Sequence, residues 1–301
     1  MSDHLNPHAS NTPLPSSRAY LDAAIRTLQH VRDTQAEALQ TAGSWIADAI
    51  AAGGFAHFFG AGHSHMALEE AFPRNGGLIG MRPISELALA NYTNVVGSAG
   101  ILQMRFFQET EGLAERIWSY YTFKPTDVFV VFTNTGITRV AIEMAMLAKA
   151  AGHRVIGVVS AQHTEATGVS NTAGKKLTDV VDLVIDNGSP PGDASIDVPG
   201  LPWKMGPVST IGAVAIVNAL ACEAAGRLIE RGQPVLVLGS AYWEGEEKAA
   251  MRKAAEENWR RCIAEFNRRL KEQLRTDWET PAHVSGASGD QAGDGGDPSN
   301  G

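Results

Sequence analysis

The sequence predicts an α/β protein built on a doubly wound parallel sheet, and three observations predict it. Strand-length apolar runs alternate with helical patterns from Phe55 to Leu238. Those runs, Phe55–Phe59 and Val128–Phe132 most clearly, are continuously apolar, as strands buried on both faces must be. Two of them run into polar loops that open a helix at once: Gly60-Ala61-Gly62-His63-Ser64-His65 and Thr133-Asn134-Thr135-Gly136-Ile137-Thr138. Sheets of this kind bind ligands at the carboxyl ends of their strands, where both loops fall.

The elements follow in order. Residues 1–15 read as a disordered leader and 276–301, rich in Gly, Asp and Ser, as a disordered tail. Ser16 or Ser17 can cap a first helix with Leu21, Ile25, Leu28 and Val31 at helical spacing. A second helix over 44–52 stops at Gly53-Gly54. Then come strand 55–59, helix 65–72, a short strand within 78–84, helix 113–121 and strand 128–133. Helix 139–151 is closed by Gly152, and strands 154–159 and 180–185 follow. A long Ala-rich helix spans 207–231, a last strand 234–238, and a charged amphipathic helix 246–274 completes a single folded unit over 16–275.

Bulk properties narrow the function. The 301 residues are 44% hydrophobic and 19% charged, enough for a sizeable core. A formal net charge of −8 argues against a nucleic-acid partner or an anionic membrane surface. The two cysteines, Cys222 and Cys262, lie in helical patterns, which fits a reducing compartment better than a disulfide framework. The N-terminus has neither a cationic start nor an apolar core, and the apolar run 211–221 is too short for a span and carries Asn218. The expectation is a cytoplasmic protein.

The second loop gathers three threonine hydroxyls, Asn134, Gly136 and free N–H groups at a helix N-terminus. One cap needs a single such residue, so the excess points to an anion, most simply a phosphate. In the first loop, glycines let N–H groups face a ligand and Ser64 adds a donor. A dinucleotide fingerprint fails, because its third glycine position is His65. His57, inside an apolar strand, reads as a hydrogen-bonded core residue. His63 and His65 could aid ring opening or bind a hydroxyl. An H-x-H pair with only His163 or Glu69 as conceivable further ligands is weak for metal. Lys204, Ser209 and Thr210 stand at the start of the Ala-rich helix and would suit a phosphate or carboxylate. The turn from Asp186 to Asp197 reads as a rigid loop, or a lid.

The stretch 127–138, with Glu143 and Ala148-Lys149-Ala150-Ala151-Gly152-His153-Arg154-Val155-Ile156, resembles the signature of the sugar isomerase (SIS) domain. Gly60–Ser64 is similar to that family's first loop. The segments 186–188 and 200–210 resemble a little-characterised phosphosugar-binding subfamily; the likeness covers about residues 20–245. Threonines stand at 133 and 135 where serines are usual, which tightens the pocket. The resemblance implies a five-stranded parallel sheet, a homodimer or homotetramer, no cofactor and a phosphorylated sugar as ligand. The loop residues Gly60, Gly62, Ser64, Thr133, Asn134, Thr135, Gly136 and Thr138 would hold the phosphate. It also implies a glutamate on the helix after the first loop, for which Glu69 and Glu70 are the candidates, as proton shuttle beside His63 or His65. Aldose–ketose isomerisation is the leading expectation; a sugar-phosphate lyase or etherase, or a non-catalytic sensor, are the alternatives.

Overall fold

A computed structural model describes residues 13–72, 74–91, 100–169, 174–239 and 245–279 of the chain. The leader up to residue 12 and the tail from residue 280 lie outside the described residues. The chain opens with helices α1 (Ser17–Thr34) and α2 (Ala36–Ala51); Ser16 caps the first, its hydroxyl accepting from Ala19 N–H at 3.2 Å. Strand β1 (Ala56–Gly60) leads into α3 (Ser64–Ala71), then β2 (Met81–Pro83), α4 (Ile101–Gln108) and α5 (Leu113–Trp118). The second strand–loop–helix unit is β3 (Val128–Phe132) and α6 (Arg139–Ala150), followed by β4 (Arg154–Val159), α7 (Ala161–Ala166) and β5 (Leu183–Asp186). A hairpin of β6 (Ala194–Ile196) and β7 (Met205–Pro207) precedes α8 (Ser209–Glu230), and α9 (Glu246–Glu279) ends the described chain.

The five main strands are all parallel, in the order β2-β1-β3-β4-β5. Side chains alternate across such a sheet, so each strand feeds two cores. On β3, Val128, Val130 and Phe132 join Ile46, Leu68, Ile216 and Leu220 beneath α2, α3 and α8. Phe129 and Val131 point the other way, onto Val140, Ala141, Met144 and Ala148 of α6 and Ile117 of α5. Helix α8 is long and apolar enough to cross a membrane by length and composition, the one such helix among the described residues. Its Ala213, Ile216, Val217, Leu220 and Ala224 are instead buried in the first core.

Three readings are corrected. The expected last strand, 234–238, is not part of the sheet: Val237 makes an isolated antiparallel bridge with Leu78. Its apolar pattern serves a loop pairing just ahead of β2, with Ile79 N–H donating to Leu236 O at 2.9 Å. The second helix begins at Ala36 rather than Ser44. The turn from Asp186 to Asp197 includes strand β6, which pairs with β7 beyond it in a hairpin, and α4 and α7 have no counterpart in the predicted elements.

The amino end of the sheet is closed by charge. Asp127, fully buried, accepts from Phe55 N–H and Lys124 N–H, contacts His57 Nε2 at 3.1 Å and pairs with Arg269 of α9 at 3.1 Å. Burial works to raise its pKa, but the bonds from His57 and the two N–H groups outweigh it and hold the carboxyl below its ordinary value. His57 is thus the buried, hydrogen-bonded core residue its strand position suggested.

Candidate functional site

The strand order reverses between β1 and β3: the chain leaves β1 for the edge strand β2, then returns to β3 on the other side. That is where an open α/β sheet presents a crevice. Gly60 is in register with Phe132, so both polar loops leave the sheet side by side. The sequence placed both loops at carboxyl ends of strands in one sheet; the structure makes those strands neighbours.

In the second loop the hydroxyls converge. Thr133 Oγ1 lies 2.8 Å from Thr138 Oγ1 and 3.4 Å from Thr135 Oγ1. Two contacts use two of three hydroxyl protons and leave one for a ligand. The N–H groups of Asn134, Thr135 and Thr138 make no hydrogen bond among the described residues. Gly136 has φ +72°, and a Cβ there would sit 2.4 Å from Thr164, so the turn requires glycine. Asn134 is mainly a tether. Its carboxamide oxygen accepts from Asn187 Nδ2 at 2.9 Å and Ser189 Oγ at 2.8 Å, leaving its amide nitrogen for a ligand. Buried Arg139, the first residue of α6, is held by Glu143 at 2.7 Å and Glu111 at 3.1 Å. Glu109, whose pKa burial raises, also draws on the Arg139 N–H, so one first-turn donor faces a protein carboxylate.

The first loop is partly committed. Gly60 approaches the backbone of Phe132 and Ser64 too closely for a free Cβ, and Gly62 adopts φ +61°. The Gly62 N–H, expected to face a ligand, donates to Leu89 O at 2.8 Å. Ser64 Oγ, half-buried, and the exposed His63 make no side-chain hydrogen bond among the described residues.

His65 departs from expectation. Expected, like His63, to face a ligand, it is buried, and its Nε2 lies 2.9 Å from Ser85 Oγ, in the exposed turn after β2. Its Nδ1 stands 3.3 Å from Glu69 Oε1, close enough for an ion pair but outside hydrogen-bond angles. Burial lowers the His65 pKa, and the Glu69 charge only partly offsets that, so the ring is neutral at neutral pH. Ser85 was not a sequence candidate, because nothing local links a serine after β2 to a helix 20 residues earlier. Glu69 is 65% exposed; Glu70 is turned away, held by Arg74 at 3.1 Å and Asn218 at 3.0 Å beside a cavity of about 350 Å³. The two consecutive glutamates therefore serve different neighbours, and Glu70 is already engaged.

The third expected group does not join these loops. Lys204 pairs with Asp197 at 3.3 Å and lines a separate cavity with Arg26 of α1. Ser209 is corrected as a ligand group: its hydroxyl donates to Asp193 at 2.7 Å, and Asp193 also accepts the N–H groups of Val208 and Ser209. The α8 N-terminus is thereby filled by an internal carboxylate. Thr210 lies in the first turn of the same helix, half-buried. His163, one conceivable metal partner, accepts from Gly192 N–H at 3.3 Å. Among the described residues no three His, Cys, Asp or Glu side chains gather to hold a metal.

Fold and site geometry define a class, and comparison with known proteins agrees: residues 19–160 match the family model described as the SIS domain. Over 231 residues the chain is 34% identical to a UPF0309 protein of Streptomyces coelicolor, covering 75% of this chain and 88% of the relative. A UPF0309 protein of Geobacillus kaustophilus is 32% identical over 243 residues, 81% of this chain and 89% of its own. The chain belongs to the UPF0309 family of SIS-domain proteins. Among solved structures it is similar to the phosphoheptose isomerase of Neisseria gonorrhoeae (TM-score 0.43, 14% identity, 68% of this chain and 95% of that one). It is also similar to the Vibrio vulnificus NanR protein complexed with ManNAc-6P (TM-score 0.44, 13% identity, 80% and 67%).

Proposed function

We propose that the protein binds a phosphorylated sugar and interconverts its aldose and ketose forms. The observation that carries the binding part is the Thr133–Thr138 loop, with converging hydroxyls and unused N–H groups at the start of a 12-residue helix. The sugar would then extend toward the first loop, next to β3, with Ser64 Oγ and His63 as hydroxyl partners. Glu69 is the better candidate base, because Glu70 is held by Arg74 and Asn218. A neutral His65 between Glu69 and Ser85 can take or return a proton as the ring opens. No step in this scheme calls for a metal or cofactor. Exposed Leu21, Ile25 and Leu28 on one face of α1 support a homo-oligomer, and the two-cysteine composition a cytoplasmic setting.

The test is incubation with a panel of sugar phosphates in D2O, with C2–H exchange followed by NMR. Exchange should fall at least 100-fold in Glu69→Gln and remain in Glu70→Gln. Exchange unchanged in Glu69→Gln removes that base. Because burial holds the His65 pKa below the usual histidine value of about 6.5, exchange should stay flat from pH 8 to 7 and decline only below that value. Saturable binding with no exchange on any sugar would instead assign the chain to a sensor role.

A further inference from the structure

We propose that the cavity between α1 and the β6–β7 hairpin is a second, separate site for a small oxyanion. It is an open cleft of about 490 Å³, within the range of small-molecule sites, and no residue of the Thr133–Thr138 loop lines it. Arg26 and Lys204 approach it from opposite elements, with Thr27, Gln162 and Ser195 as hydroxyl and amide groups between them. Arg26 makes no ion pair or side-chain hydrogen bond among the described residues. Among the described residues Lys204 is held only by the exposed Asp197, which a ligand anion can replace at little cost. A guanidinium and an ammonium lining one cleft fit a phosphate or carboxylate group on a small metabolite.

The cavity also has a route to the phosphate loop, a point that rests on the function proposed above. Gly188 and Pro190 line it, while the alternate residues Asn187 and Ser189 bind the Asn134 carboxamide. Asp186, at the root of the same turn, is tied to His30 of α1 at 2.9 Å. An anion drawing Arg26 inward moves α1 and this turn together, and the turn holds the loop. Occupancy of one site therefore changes the affinity of the other.

The experiment is a backbone-amide NMR titration of the full chain with inorganic phosphate and, separately, with malonate. Gly188 and Ser195 report the cavity; Thr135 and Gly136 report the loop. Cavity reporters should titrate saturably with at least one probe, and Arg26→Ala/Lys204→Ala should weaken that titration at least tenfold while loop reporters still titrate with phosphate. Both side chains are exposed, so the variant keeps the fold. Phosphate alone, or malonate alone, moving the cavity reporters tells which oxyanion it takes. Cavity reporters unmoved by both probes, or an unchanged curve in the double variant, overturn the site. Silent loop reporters with a working cavity would count against the phosphate-loop reading alone. Loop affinity for phosphate should differ at least threefold between the empty and malonate-filled cavity; equal affinity overturns the coupling.

Discussion

The N-termini of α6 and α8 look alike in sequence and differ in structure. Both helices open with threonine or serine near a glycine, and both follow a strand. At α6 the hydroxyls converge on one another and three backbone N–H groups find no protein acceptor among the described residues. At α8 the Asp193 carboxylate accepts from Val208 N–H, Ser209 N–H and Ser209 Oγ at 2.7–3.1 Å. A helix end is electrostatically the same anion site in both places. What separates a binding site from a structural cap is how far the fold's own carboxylates fill the end: Glu109 takes one donor at α6, whereas Asp193 takes three at α8.

The positive-φ residues near the two ends follow the same division. Gly136 at φ +72° makes room for the loop and offers no side chain of its own. Asp193 holds φ +67°, the one non-glycine residue with positive φ among those described, and its side chain reaches α8 from there. Backbone strain at Asp193 is accepted where the carboxylate makes three bonds.

Substitutions can sharpen or break this contrast. The largest effect is expected for Gly136→Ala. Left-handed backbone costs an alanine about 1 kcal/mol and the clash with Thr164 about 2 more, for a total of about 3 kcal/mol in urea unfolding. A loss below about 1 kcal/mol would mean that the turn is not held as described. Next is Asp193→Ala, which should destabilise by about 2 kcal/mol, with Asp193→Asn retaining more than half, since asparagine both caps and tolerates positive φ. In Asp193→Gly the opened α8 terminus should add a further phosphate-dependent rise in Tm, beyond the one that phosphate binding at the α6 loop gives the unsubstituted protein. If that rise is missing, filling by Asp193 is not what distinguishes the two ends. The smallest effect belongs to Thr135→Val: stability within about 0.5 kcal/mol, but sugar-phosphate affinity down about fivefold in calorimetry, the worth of one hydrogen bond. Unchanged affinity would close the α6 site as well.

Much of the fold was legible because it is written locally. Phe55–Phe59 and Val128–Phe132 are apolar without interruption, so their burial follows from composition alone. The pairing of the two loops followed as well, since both end strands of one parallel sheet. Errors arose where partners are distant in sequence. The segment 234–238 has a strand's pattern, but its partner Leu78 lies outside the main sheet. Ser209 looked free because Asp193, 16 residues earlier, returns to it only through the β6–β7 hairpin. Glu69 and Glu70 could not be separated from sequence, since His65 stands beside one while Arg74 and Asn218 hold the other.

By itself, the sequence determined the parallel α/β sheet, the positions of both polar loops and the core role of His57. These depend on periodicity, chain direction and the cost of burying an unpaired polar group. Tertiary structure alone decided which donors are free, which are already bonded, and that Lys204 lines a cavity with Arg26 rather than joining the threonine loop. The physical reason is that hydrogen bonds saturate. A donor's chemistry is local, but its availability depends on whichever acceptor the rest of the chain brings within 3 Å.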